Sequence, residues 1–319
     1  MTVRNLKKPS LVYGLGVRSP FSSHALARYT PSDESTLLGW LEERSLRSNL
    51  GFEEAVASRI PIVRRVITRD ESFTLASAQH LVIEKPVSMT IRLEGTPLED
   101  LAVSLLVLDI RADTEIVFES EPSQRSVHLI YADVATDASF TFNDLLITAH
   151  DSFRRVRVTL GESSKVFPNH AFFTYGEAKV DLKSDITHVG RESFSDMKVR
   201  GVIDNASEVI VQGDVTIEPT AFEANGYQQE DLILASPNAI ARPIPNLEIG
   251  NNQVKCSHGA TVSSIDPEAV FYLRSRGIHE HDARTLLLAS FIAPILELIP
   301  EEELERIREK VRRILDGSH

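Results

Sequence analysis

The feature that most constrains the fold is a long series of short apolar segments between about residues 81 and 249. These segments have strand-type composition and recur at intervals of roughly ten residues, which indicates a sandwich, a barrel or a β-solenoid. Periodicity alone does not choose among the three. Two-residue hairpin signals are few, and Asn225-Gly226 is one of them. This scarcity mildly favours the successive coils of a solenoid over a meander of hairpins. The clearest segments are 87–93, 126–131, 155–158, 199–203 and 209–217.

Helical patterns flank this β-type region. From about residue 30 to residue 71, apolar side chains recur at helical spacing after a plausible start at Thr30 and Pro31. Helical patterning returns at the C-terminal end. We therefore expect three parts: an N-terminal helical region at 1–76, a β core at 77–262 and a C-terminal helical region at 263–319.

The start of the C-terminal region carries clear helix signals. Asp266 is a good N-cap, Pro267 suits the first helical position, and Gly277 can end a helix in a left-handed conformation. The sequence therefore predicts a short helix over 267–276. A second apolar stripe follows, and Pro294 should bend or end that helix before Leu304.

Composition restricts the classes of function. The single cysteine of the 319 residues excludes an intramolecular disulfide framework and fits a reducing compartment. A formal net charge of −12 argues against broad nucleic-acid binding. There is no apolar run of the roughly 20 residues that a membrane span needs, and there is no secretory leader pattern. We expect a cytoplasmic protein without a membrane or nucleic-acid partner. The chain also lacks a phosphate-binding loop, so we expect it to bind no nucleotide.

The single cysteine, Cys256, lies two residues before His258. On an extended strand, residues two apart project from the same face, so a thiol and an imidazole would share one space. Such a pair could contribute ligands to a metal or act as nucleophile and base. It could equally be a buried small side chain beside an ordinary histidine. Because a closed zinc site needs about four ligands, this pair alone cannot form one.

The sequence around this pair resembles a known family. Residues 255–261 read Lys-Cys-Ser-His-Gly-Ala-Thr, and 266–278 read Asp-Pro-Glu-Ala-Val-Phe-Tyr-Leu-Arg-Ser-Arg-Gly-Ile. Together they resemble the C-terminal signature of the SufB/SufD family, whose members are scaffold subunits of an iron–sulfur cluster assembly machine. Residues 200–204, 224–234 and 245–249 resemble further elements of that family. The resemblance extends over about 185–298.

Differences from the family pattern point to one branch. The SufB branch carries a cysteine in the segment that corresponds to Gln229, Glu230 and Asp231, and acidic residues flank its signature histidine. Here the flanking residues are Ser257 and Gly259. The chain is therefore more similar to SufD, whose Cys-Ser-His-Gly sequence it reproduces.

The resemblance implies a mainly β fold, a right-handed parallel β-helix (β-solenoid) flanked by N-terminal and C-terminal helical regions. It implies a non-catalytic scaffold for a transient iron or iron–sulfur cluster. His258 is then the leading candidate ligand and Cys256 the second, with Glu230 and Glu248 as neighbours. The implied partners are a SufC-like ABC-type ATPase at the C-terminal helical region, and either a second copy or a SufB-like subunit at the β-helix.

Two other functions fit the same residues. The first is an interaction adaptor that binds no metal. The second is a β-solenoid enzyme that uses Cys256 as a nucleophile, which would require a thiol with a lowered pKa.

Overall fold

The computed structural model describes residues 62–98, 101–296, 299, 305–306, 309 and 312–314. Within these ranges the chain forms seventeen strands and then two helices, and residues 305–306, 309 and 312–314 are also helical. The strands are β1 Ile62–Ile67, β2 Phe73–Leu75, β3 Ala78–Ile83, β4 Val87–Leu93, β5 Thr96–Leu98, β6 Leu101–Ile110, β7 Thr114–Ser120, β8 Arg125–Val134, β9 Ser139–Thr148, β10 Ser152–Leu160, β11 Lys165–Thr174, β12 Lys179–His188, β13 Phe194–Ile203, β14 Glu208–Ile217, β15 Asn225–Leu234, β16 Ile240–Ile249 and β17 Lys255–Ser264. The helices are α1 Pro267–Ser275 and α2 Glu280–Leu296.

The strands form two sheets, and successive long strands alternate between them. The first sheet has the order β1-β3-β6-β8-β10-β12-β14-β16, with β5 added antiparallel to β6. The second has the order β17-β15-β13-β11-β9-β7-β4-β2. Apart from β5 with β6, the pairs are parallel. This is a β-solenoid of about seven turns, so the expected parallel β-helix is confirmed.

The core lies between the two sheets. It is built from every second residue of each strand, because successive strand residues point to opposite faces. In β14 every second residue is buried, from Val209 to Ile217. Aligned positions on neighbouring parallel strands point the same way, so apolar inward residues stack from coil to coil. One apolar cluster joins both sheets and includes Ile83, Phe140 and Val211. This stacking explains why a series of short apolar segments produces one continuous core.

Equivalent turn residues also stack between coils. Asp137, Ser163, Glu192 and Glu223 have φ values between 53° and 62°, in the left-handed region. The backbone N–H of each donates to a carbonyl of the following coil at 2.8–3.0 Å. The turn geometry therefore repeats although the residue type does not, which accounts for a solenoid without a sequence repeat.

The first helix begins and ends as the sequence predicts. The Asp266 side chain accepts a hydrogen bond from the Glu268 backbone N–H at 2.8 Å, and Pro267 opens the helix. Arg276 caps its C-terminal end, and Gly277 follows with φ +87°. The structure thus confirms the predicted helix to within one residue.

The second helix packs on the outer face of the second sheet. Leu288 and Ile292 of α2 join a buried cluster with Phe173 and Val202. Arg200 donates to the Phe291 carbonyl at 2.9 Å, which fixes the helix to β13. The helix continues past Pro294 and ends at Leu296, before Leu304 as expected. No helix in the described ranges is long and apolar enough to cross a membrane.

One sequence prediction is wrong. The helical pattern read as far as residue 71 ends earlier, because residues 62–67 form β1 and residues 73–75 form β2. Apolar residues in β1 and β2 contribute to the β-helix core, Ile67 and Leu75 among them, and this tertiary packing outweighs the local spacing. The rest of the predicted N-terminal helical region, residues 1–61, lies outside the described residues.

Candidate functional site

The last coil of the β-helix exposes its inner face. β16 and β17 are the edge strands at one end of the two sheets, and β1 and β2 are the edge strands at the other end. In β15 the inward residues Gly226, Gln228, Glu230 and Leu232 are buried because β17 lies beyond them. No described strand lies beyond β17, so its own inward side chains are far more open. A terminal coil of this kind offers free backbone groups and side chains to a second polypeptide.

Cys256 and His258 both lie on this inward face. The strand register aligns Cys256 with Gly226 and His258 with Gln228, whose positions face the core. Cys256 is half-buried and His258 is exposed. The sequence prediction that the two side chains share one face thus agrees with the register.

The Cys256 side chain packs rather than reacts. It contacts a small apolar cluster formed by Ile217, Ala221 and Ala224. Burial raises the pKa of the thiol, and a hydrogen bond with the backbone of Gly226 only partly offsets this. Since the nucleophile in such chemistry is the thiolate, the environment disfavours a catalytic cysteine.

Glu230 lies one strand further in. It is on the inner face of β15, aligned with Ala260, and it is 0% exposed. Burial raises the pKa of this carboxyl to about 8, and the negative charge of Asp214 adds to the shift. The backbone N–H groups of Gly213 and Ile244 act in the opposite direction. Glu230 is therefore an acid beneath the exposed coil that is mostly protonated at neutral pH.

Glu248 is not brought together with the other three candidates. It lies on β16 between Leu247 and Ile249, whose register partners Val215 and Ile217 point into the core. Alternation therefore places Glu248 on the outer face, where it is exposed. Among the described residues, no group of three or more His, Cys, Asp or Glu side chains is arranged to hold a metal ion. Within this part of the chain, Cys256 and His258 share one face of β17 without a third such side chain arranged beside them.

The core contains a second polar cluster that sequence reasoning missed. Asp144 and Arg154 form a fully buried ion pair, and His170 Nδ1 lies 2.9 Å from Asp144 Oδ2. His170 Nε2 lies 3.0 Å from the Ser184 hydroxyl. Burial pushes the pKa of Asp144 up, but Arg154 and His170 bring it below its ordinary value. The sequence does carry a signal for this cluster. In β9, β10 and β11 these polar residues stand at the alternate positions that otherwise hold apolar, inward-facing side chains.

Two buried histidines belong to the same interior. Burial, reinforced by the charge of Arg154, holds the pKa of His128 well below its ordinary value. Burial lowers the pKa of His188 to about 4. His188 contacts the hydroxyls of Ser193 and Ser195, each at 2.8 Å. His188 is therefore an interior residue that links the end of β12 to the start of β13 through these two serines.

The C-terminal helices present apolar side chains to solvent. Phe271 and Tyr272 on α1 are 72% and 57% exposed, and Leu286 on α2 is 51% exposed. These are the large apolar side chains of α1 and α2 that are exposed among the described residues, and isolated apolar residues are ordinary on a protein surface.

Comparison with known proteins identifies the family. The family model described as the SufBD core domain of the SUF system for FeS cluster assembly matches residues 76–291, more than half of the chain. The chain is 28% identical to the iron–sulfur cluster assembly protein SufD of Escherichia coli over 197 residues, which covers 60% of this chain and 45% of that protein. It is 30% identical to SufD of Bacillus subtilis over 131 residues, or 41% of this chain and 30% of that one.

A third relative is a SufBD family protein of Synechocystis, 38% identical over 111 residues, or 34% of this chain and 24% of the relative. The chain thus spans less than half the length of each of these three curated relatives. The family match at 76–291 covers most of the β-helix, including β17 with Cys256 and His258. The chain belongs to the SufB/SufD family of iron–sulfur cluster assembly scaffold proteins.

Proposed function

We propose that this chain is a SufD-like scaffold subunit that receives iron or a nascent iron–sulfur cluster at its terminal coil. The observation that carries the proposal is the position of His258, an exposed imidazole on the inward face of the edge strand β17. An imidazole is a good ligand for iron, and Cys256 lies two residues away on the same face. The iron or cluster is cargo here, so an incomplete ligand set suits transient binding.

The missing ligands come from a second polypeptide that pairs with the terminal coil. The backbone edges of β16 and β17 are open to another strand, and main-chain hydrogen bonding at such edges is a common way for chains to associate. The partner is a SufB-like subunit or a second copy of this chain. In either case the pairing would bring the partner's side chains toward His258.

The C-terminal helices form the surface for a SufC-like ATPase. The exposed Phe271, Tyr272 and Leu286 supply apolar contact area there. Because α2 is fixed to the second sheet through Arg200 and Leu288, a force applied to these helices is passed to the β-helix. ATP hydrolysis by the partner would in this way alter the terminal coil and expose the ligands.

The test is co-purification with a SufC-like ATPase from anaerobic co-expression. We expect the wild-type chain to retain the ATPase and the Phe271→Asp, Tyr272→Asp double variant to lose it while keeping its circular dichroism spectrum. His150→Ala, which changes an exposed turn residue in another coil, is the control and should retain the ATPase. Equal retention by the double variant would contradict the proposed docking surface.

The adaptor function is the second candidate, because the described residues contain no complete metal site. Anaerobic reconstitution with iron and sulfide, with and without the partners, separates the two functions. A scaffold develops cluster absorbance that depends on His258. An adaptor binds its partners but develops no such absorbance.

A further inference from the structure

The middle strands of the first sheet are buried on both faces. In β8 and β10 nearly every residue is buried, whereas in β14 of the same sheet only every second residue is buried. A parallel strand that is buried on both sides has a packed layer on its outer face as well as the core on its inner face. A layer of protein therefore covers the outer face of the middle strands and leaves that of β14 partly open.

The covered face is apolar. Its side chains alternate along β3, β6, β8 and β10 with the residues that point into the core, and they belong to no part of the core cluster between the sheets. They include Val82, Leu105, Val107, Leu129, Tyr131 and Phe153, each at most 6% exposed. This burial arises within a single chain, so the covering layer is part of the chain itself.

The described helices do not supply this layer. α2 packs on the second sheet through Leu288 and Ile292, and α1 packs on α2. Ile299 and Ile314 join the same buried cluster as α2, so the described residues near the C-terminus also lie on the second sheet. The cover of the first sheet therefore comes from another part of the chain.

Residues 1–61 have the length and the position to reach this face. They lead directly into β1, which is the edge strand of the first sheet and pairs with β3. From β1 to β10 there are four strand steps, about 19 Å at ordinary spacing, which about 13 residues of helix would span. The segment carries apolar residues at helical spacing, among them Leu37, Leu41, Phe52 and Val56.

We propose that residues 30–61 dock through this apolar stripe on the outer face of the first sheet, across β3 to β10. The β-helix is then covered on one flank by α2 and on the other by the N-terminal segment. Flank surface in the first sheet is left for partners only at β14 and β16. The proposal does not depend on iron or on an ATPase, so it and the proposed function can fail separately.

Trp40 provides the test, because it is the single tryptophan of the chain and lies in this segment. In the full-length wild type we expect Trp40 to emit at shorter wavelength than in the urea-unfolded chain and to resist quenching by acrylamide. Leu129→Asp places a charge on the covered face, so it should shift the Trp40 emission to longer wavelength and increase the quenching.

The matched control is Ile244→Asp. It introduces the same charge on the outer face of β16 in the same sheet, where Ile244 is 42% exposed, and it should leave the Trp40 emission as in wild type. Wild-type emission equal to that of the unfolded chain, or an unchanged Trp40 signal in Leu129→Asp, would overturn the proposal.

Photo-cross-linking gives a second test should Leu129→Asp fail to fold. Tyr131→benzoylphenylalanine keeps an aromatic ring on the covered face. After irradiation of the full chain, peptide mass spectrometry should find position 131 joined to a peptide within residues 30–61 of the same chain. A cross-link to another segment, a cross-link between two copies, or no cross-link would overturn the proposal.

Discussion

Polar side chains lie on the inner face both in the middle and at the end of this β-helix. Those in the middle are enclosed, whereas those at the end are more open to solvent. In the middle, Asp144, Arg154 and His170 are fully enclosed and contact one another. At the end, among the residues that the structure describes, His258 and Cys256 have a coil on one side only. The comparison shows that position along the solenoid decides whether an inward polar residue holds the core together or is available to a ligand.

The largest expected change in the free energy of unfolding comes from breaking the enclosed ion pair. Asp144→Ala leaves the Arg154 guanidinium buried without its carboxylate, and removing one partner of a buried pair costs about 3–5 kcal/mol. His258→Ala, at the exposed end, should change the free energy of unfolding by less than about 0.5 kcal/mol. Urea unfolding of both variants measures the contrast. Equal losses would show that the two regions do not differ in this way.

The second effect concerns Glu230, which lies between the two regions. Its folded pKa of about 8 exceeds its ordinary value of 4.5, so its contribution to stability is present below pH 4.5 and is lost as pH rises through 8. At pH 7 the loss is about 3 kcal/mol at 1.36 kcal/mol per pKa unit. Glu230→Gln should remove this pH dependence of the melting temperature between about pH 4.5 and pH 8. A wild-type slope that persists in the variant would contradict the account.

His188 should show the opposite pH dependence. Its folded pKa of about 4 is below its ordinary value of 6.5, so its stabilising contribution is present above pH 6.5 and is lost as pH falls toward 4. At pH 5 the expected loss is about 2 kcal/mol. Urea unfolding of wild type and His188→Gln from pH 7 to pH 4.5 measures this. The free energy of unfolding should fall more steeply with decreasing pH in wild type than in the variant. Parallel curves would mean that the imidazole is not as enclosed as its surroundings imply.

The smallest effect is expected at Cys256. Because the thiol packs on Ile217 and Ala221, Cys256→Ser should lower stability by only about 1 kcal/mol. The wild-type thiol should react with iodoacetamide at pH 7 more slowly than free cysteine, since its pKa is raised. Rapid alkylation at that pH would revive the nucleophile hypothesis.

Much of the β region and of the first C-terminal helix could be predicted from the sequence. All five clearest apolar segments lie within strands, and Asp266 and Pro267 mark the start of α1. These features depend on local alternation and capping. The choice of a β-solenoid over a sandwich could not be made from local sequence, because it depends on which strands pair, and paired long strands are 24 to 32 residues apart in the sequence. That choice came from the family resemblance.

The site was predictable only in part. The shared face of Cys256 and His258 follows from alternation within one strand. Alternation also separates the two glutamates that the family resemblance grouped. Glu230 is two residues from the inward Leu232 and so lies on the inner face, whereas Glu248 is next to the inward Leu247 and so lies on the outer face. The burial of His188 and the Asp144–Arg154 pair depend on neighbouring coils, which a linear pattern does not contain.

We propose that the exposed imidazole of His258, at the end of the β-helix, holds iron. The most direct test is anaerobic metal analysis of the chain co-purified with its ATPase, for wild type, His258→Ala and the His150→Ala control. We predict that the iron content falls in His258→Ala and stays at the wild-type level in the control. Unchanged iron content in His258→Ala would contradict it.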